Sequence, residues 1–119
     1  MAKIDSFNSG FIVIDGKQYV YDVIILPDGT VKEREADKKR SGSHKITEKE
    51  IANLRSLAAD TSIIGIGASG NAKLEDAAMN FSMNYNFKPI ILPTASAVDK
   101  FNQLTGEGKR VAALIHITC

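Results

Sequence analysis

The second half of the chain contains three short apolar runs, 62–66, 89–92 and 111–117, and the segments between them have helical periodicity. Runs of this length, rich in β-branched residues and bounded by Gly or Pro, read as buried strands. The segment 74–85 places Ala77, Ala78, Phe81 and Tyr85 on one helical face. A further helix starts at Thr94, a good N-cap behind Pro93, passes through Val98, Phe101 and Leu104, and ends at Gly106 and Gly108. Strands separated by helices cannot be joined as hairpins. They require right-handed crossovers and at least one parallel pair, which commits this half of the chain to an α/β arrangement.

The first half has a different grammar. Asp15-Gly16 lies between the strand-like stretches 11–15 and 19–26, a strong short hairpin signal. Pro27-Asp28-Gly29 marks a second turn before 30–35, where Val31 alternates with Lys32, Glu33 and Arg34. The segment 37–43, with Lys38, Lys39, Arg40 and Gly42 and no apolar residue, reads as a solvated loop. Thr47 with Glu50 three positions on is a capping box, and Ile51, Leu54, Leu57 and Ala58 continue a helix to about residue 59. The expected architecture is an α/β domain with a central mixed sheet, helices against it and an N-terminal antiparallel β meander. The 119 residues suit one domain, 1–119.

Fifteen Lys and Arg against fourteen Asp and Glu leave a formal charge of +1, so no field to attract nucleic acid or anionic lipid is expected. No segment approaches the roughly twenty apolar residues of a membrane helix, and the first residues show no secretory pattern. Cys119 is the only cysteine, which excludes a disulfide framework and a cysteine zinc cage and suits a reducing, cytoplasmic setting. His44, His116 and Cys119 are too few and too scattered to predict a metal site, and no cofactor is expected.

A set of short motifs adds a resemblance. Ile14-Asp15-Gly16-Lys17 with Tyr19 and Asp22-Val23, Ile63-Ile64-Gly65-Ile66-Gly67, Thr94 with Ala97-Val98 and Phe101-Asn102, and Arg110-Val111 with His116 and Thr118-Cys119 resemble the Mth-domain proteins. That family includes an adipogenesis-associated Mth-domain protein and a mitochondrial assembly factor of respiratory complex I. The resemblance runs from about Phe11 onward, and the closing His-x-Thr-Cys is its most specific part. It implies a three-layer α/β fold around a mixed sheet, no defined reaction, and a role of the assembly or regulatory kind. Two features depart from relatives: Glu33-Arg34-Glu35 stands where they often carry tryptophan, and the chain shows no mitochondrial presequence, so the complex I role is not carried over.

Gly65, Gly67 and Gly70 spell G-x-G-x-x-G after a strand, the form of a dinucleotide loop. The acid that should grip the ribose is missing, because no Asp or Glu lies between Asp76 and Asp99, so close packing of a glycine-rich strand exit is the preferred reading. In an open α/β sheet, ligands bind at the carboxyl ends of parallel strands. A crevice of Gly67, Ala68, Ser69, Gly70 and Thr94, with Arg34 or His44 from the meander, could hold a small anion there. A capping role is the simpler reading of Thr94. His116 and Cys119 lie three apart in an extended strand and point to opposite faces, which favours a satisfied core histidine and a tucked C-terminus over a nucleophile and base.

Two functional expectations follow. The first is a non-catalytic interaction, assembly or regulatory module, acting on a protein partner, because no complete set of nucleophile, base and orienting group is visible. The second is a small-molecule or anion-binding protein, an uncharacterised enzyme included, built on the glycine crevice. A monomer or a homodimer paired through an open edge strand of the meander fits either.

Overall fold

The computed structural model describes residues 2–35 and 44–119. The expected loop 37–43 and its basic run Lys38, Lys39, Arg40 lie outside the described residues.

A three-stranded antiparallel sheet opens the fold: β1 (Ile4–Asn8), β2 (Phe11–Ile14) and β3 (Lys17–Tyr19), in spatial order β1-β2-β3. Asp15 and Gly16 both have positive φ, +50° and +79°, as the tight hairpin turn between β2 and β3 demands. The chain then enters a five-stranded sheet through the hairpin of β4 (Val23–Ile25) and β5 (Val31–Glu33). A two-stranded parallel ribbon, β6 (Lys45–Ile46) with β8 (Lys73–Leu74), flanks helix α1 (Glu48–Ser56) and strand β7 (Thr61–Ile66) in sequence. Helix α2 (Asp76–Asn84), strand β9 (Ile90–Leu92), helix α3 (Thr94–Gly106) and strand β10 (Val111–His116) complete the chain.

The central sheet has the order β5-β4-β10-β7-β9. β10 and β9 run parallel to β7, while β4 pairs antiparallel with both β10 and β5. This is the mixed sheet expected from the alternation of elements and the three-layer architecture that the resemblance implied. Period-two alternation assigns the layers. Along β10, Val111, Ala113 and Ile115 join Ile63, Val23, Ile25 and the α3 residues Ala97 and Phe101 in one core, with Ile4, Ile12 and Ile14 of the small sheet. Ala112 and Leu114 join Ile64, Ile51, Leu54 and Ala78 in a second core on the other face. Gly65 lets α3 approach closely: a Cβ there would stand 3.0 Å from Thr94 Oγ1 and 3.3 Å from Ala97 Cβ.

Several local expectations change. The stretch 19–26 is not one strand: β3 stops at Tyr19, the chain crosses between sheets, and β4 starts at Val23, with the buried Asp22 at the crossing. The meander is therefore split, because β1, unexpected from its sequence, pairs with β2 while the β4–β5 hairpin belongs to the central sheet. The Asn102 amide holds β1 by accepting the Ile4 N–H at 3.0 Å and donating to its carbonyl at 2.8 Å. Strand β9 is an edge strand with Ile91 exposed, not a buried one, since among the described residues nothing pairs beyond it in the sheet. On α2 the buried face is Ala78 with half-buried Phe81; Ala77 and Tyr85 are exposed.

Phe101 is the large aromatic at the centre of the first core and is almost fully buried. Phe101→Ala is expected to lower the unfolding free energy by about 3–5 kcal/mol in urea titrations. The same change at half-buried Phe81 should cost clearly less; equal losses would contradict this division of the core.

Candidate functional site

Four of the buried polar residues, Asp22, Arg34, Thr94 and His116, converge at the end of β10. His116 is the last residue of that central strand and is fully buried. Its Nδ1 lies 2.6 Å from Asp22 Oδ2, and the other Asp22 oxygen accepts the Ile117 N–H at 2.9 Å. Because β10 stops at His116, Ile117 has no strand partner for its N–H, and the carboxylate at the sheet crossing replaces one. Arg34, just beyond β5, is fully buried as well. It donates from Nη1 to Asp22 Oδ2 at 2.8 Å, from Nε to Glu50 Oε2 at 2.5 Å, and from Nη2 to Glu50 Oε1 at 3.0 Å and the Lys45 carbonyl at 2.6 Å.

Glu50 is held on the first turn of α1 by the capping box, in which the Glu50 N–H donates to Thr47 Oγ1 and Glu50 Oε1 accepts the Thr47 N–H. One carboxylate thus caps the helix and neutralises the buried guanidinium. Burial raises the Asp22 carboxyl pKa, but the hydrogen bonds from His116, Ile117 and Arg34 outweigh it and hold the group below its ordinary value of 3.8. Burial likewise works against the Arg34 charge, and the Glu50 and Asp22 carboxylates more than offset it, so its pKa is raised above the ordinary arginine value. With Asp22 ionised, the imidazole proton belongs on Nδ1. Nε2 faces Thr118 Oγ1 at 3.1 Å, and the exposed His44 stacks its ring edge-on against His116 at 5.1 Å.

Asp22, His116 and Thr118 therefore stand in the order carboxylate, imidazole, hydroxyl, which is the order of a nucleophilic relay. An oxyanion site is what such a relay needs next. The neighbouring backbone donors are committed elsewhere: the Ala68 N–H donates to the Thr118 carbonyl at 2.8 Å and the Asn71 N–H to the Cys119 carbonyl at 3.0 Å.

Those donors come from the glycine crevice, so the residues at the C-terminal end of the described chain occupy it. Gly67 has φ +105°, and a Cβ on it would stand 2.5 Å from the Cys119 carbonyl oxygen. This is the close packing expected for the glycine-rich strand exit. The Gly67 N–H donates to Thr94 Oγ1 at 2.8 Å, and the same hydroxyl donates to the His116 carbonyl at 2.6 Å. Thr94 is accordingly not the cap of α3. Pro93 holds that position, and the buried threonine ties the ends of β7 and β10 together.

Of the residues singled out in the sequence, Gly67, Thr94, Arg34 and His44 are brought together around His116, as a packed joint. Ala68 and Ser69 are exposed beside it and Gly70 is half-buried. Cys119 is exposed as a residue although its carbonyl is tucked. Asp22, Glu50 as an ion-pair partner and Thr118 were missed; an acid interrupting a β-rich stretch was the available signal for Asp22. Among the described residues no three His, Cys, Asp or Glu side chains are placed to share a metal ion, and no helix is long and apolar enough to cross a membrane.

Two concave surfaces are present, the first sharing Thr47 and Glu50 with this joint and the second lying away from it. A cleft of about 410 Å³ between α1 and the β4–β5 hairpin has an aliphatic floor that includes Ile24, Leu54 and Leu114, and its rim carries Lys32 and Lys49 against Glu33 and Glu35. A groove of about 470 Å³ between α2 and β9 is lined by Met79, Met83, Phe87, Pro89 and Ile91 with Ser82 and Lys88.

The family described as "Protein of unknown function (DUF498/DUF598)" matches residues 4–116. Among solved structures, MT938 superposes with a TM-score of 0.81 at 27% identity, covering 100% of both chains. The conserved hypothetical protein PH1505 of Pyrococcus horikoshii OT3 gives 0.81 at 30% identity, over 98% of this chain and 99% of that one. A Bordetella pertussis protein described as a Mth938-like domain gives 0.62 at 16% identity, over 97% and 85% of the two chains, which shows the fold alone. No curated protein matches the chain.

Two outcomes follow from the joint. Because the folded-state pKa of Asp22 is depressed, the stabilisation it brings is present above its ordinary value near 3.8 and lost as pH falls through the lower folded value. Unfolding free energies measured from pH 7 to pH 2 should fall more steeply below pH 4 in the parent than in Asp22→Asn. Parallel curves would refute this. Thr94→Val, which strands the Gly67 N–H and the His116 carbonyl, should cost about 1–3 kcal/mol in urea unfolding, and Thr94→Ser should recover most of it.

Proposed function

We propose that this chain, which belongs to the DUF498/DUF598 family, is a non-catalytic protein-interaction module whose docking face is the groove between α2 and β9. The carrying observation is where the two kinds of surface lie. The groups that could do chemistry, Asp22, Arg34, Thr94 and His116, are buried and bonded to one another or to backbone. Of the five large apolar side chains left exposed among the described residues, three line the α2–β9 groove, Met83 at 76%, Met79 at 52% and Ile91 at 43%, whereas Val20 stands apart between β3 and β4 and Tyr85 ends α2 outside the groove lining. Such side chains on one rim of a folded domain mark a contact surface, and methionines adapt their shape to a partner at little cost.

The Asp22–His116–Thr118 chain favours a second reading, a hydrolase with a threonine nucleophile. Against it stand the commitment of the nearby donors to the Thr118 and Cys119 carbonyls and the burial of the imidazole.

The test has two arms. A photoreactive amino acid in place of Met79 or Met83, compared with one in place of the exposed Gln103 on α3, should give discrete protein adducts in cells from the α2 positions only. In the second arm the purified chain is assayed with activated esters. Turnover that is abolished in Thr118→Val while the variant remains folded would replace the interaction reading with the hydrolytic one, and equal adducts from all three positions would remove the docking face.

A further inference from the structure

The α2–β9 face carries chemistry that fits itself. Asp76, Met79 and Met83 follow one another at i, i+3 and i+7 on α2, so they share a stripe. Lys88 lines the groove beyond the far end of the helix. An acid at one end, a base at the other and methionines between them form a pattern that becomes its own complement when turned through 180°. Ser82 lies midway in sequence between Asp76 and Lys88, lines the same groove, and has a buried hydroxyl with no hydrogen-bond partner among the described residues.

The edge strand itself offers little. β9 has three residues and sits between Pro89 and Pro93, which blunts it against pairing with another strand. Contact at this face is therefore made by side chains.

Resting on the reading of α2–β9 as the docking face, we propose that its occupant is a second copy of this chain, packed about a twofold axis that passes near Ser82. The two α2 helices run antiparallel, so that Asp76 of each copy meets Lys88 of the other and the methionines interleave between them. The contact is isologous and closed, giving a dimer and no longer polymer. Antiparallel helix dipoles favour the arrangement. This interface differs from the meander-edge pairing expected from the sequence.

Sedimentation of the full chain from micromolar to millimolar concentration tests this. A monomer–dimer equilibrium is expected, with a dissociation constant raised about tenfold or more by Met83→Lys. Asp76→Lys and Lys88→Glu should each weaken association, and the two together should restore it, a recovery that damage to the fold would not produce. Circular dichroism confirms that each variant is folded; if Asp76→Lys disrupts α2, the exposed Lys88→Glu carries the charge test. A chain that stays monomeric throughout, or a dimer indifferent to both Met83→Lys and Lys88→Glu, overturns the proposal. A monomer that still gives adducts to other proteins from position 83 removes the second copy and leaves the interaction reading standing.

Discussion

One carboxylate, that of Asp22, holds this fold in register. It receives a guanidinium from beyond β5, an imidazole from the end of β10 and the N–H of Ile117. Taking these charges out of water costs several kcal/mol per ion, and the cost is met only when every partner is in place. The cluster therefore gives the structure an all-or-none character at this point. The crossing from the small sheet to the central one, the end of β10 and the start of α1 are correct together or not at all. Removing one partner leaves a buried charge, which costs about 3–5 kcal/mol, whereas a fully apolar replacement need not be less stable. What the charges secure is geometry.

The dependence spreads outward from there. Glu50 completes the helix cap and the ion pair with the same side chain, so the direction in which α1 leaves the sheet is set by Arg34. His116 hands the constraint on to Thr94 through its backbone carbonyl, and Thr94 passes it to Gly67. The carbonyls of Thr118 and Cys119 then take up the donors of the glycine turn. The groups that look most like chemistry in the sequence are consumed in holding three strand ends and a helix together. Of the large apolar side chains that the fold leaves uncovered, Met79, Met83 and Ile91 lie at the far edge, where β9 closes the sheet and α2 faces outward.

Much of this was legible from local signals. The Thr47–Glu50 box, the Asp15-Gly16 turn and the three apolar runs act through neighbours within a few residues, where side-chain chemistry dictates backbone conformation directly. β1 was not legible: its sequence, Ile-Asp-Ser-Phe-Asn, has no clean alternation, and it is held by β2 and by the Asn102 amide, 98 residues from Ile4. The role of Thr94 was misread for a similar reason. A threonine behind a proline at a helix start satisfies the capping pattern, but the buried ends of two strands compete for its hydroxyl and win, because an unpaired N–H or carbonyl there is costlier than an unfilled cap at a wet helix end.

By itself the sequence determined the class of the fold, since alternating apolar runs and helical segments allow few connections and right-handed crossovers select among them. It also singled out Gly67, Ala68, Ser69, Gly70 and Thr94, with Arg34 and His44, as a crevice, and it favoured His116 as a core histidine. Only the tertiary structure decided what they do. Whether a buried arginine, histidine and threonine form an open site or a closed joint depends on which acids, carbonyls and N–H groups meet them, and here those partners come from positions as far apart as Asp22 and Ile117. Pairings over that distance leave no trace in local pattern, since they are set by which strands the sheet brings side by side.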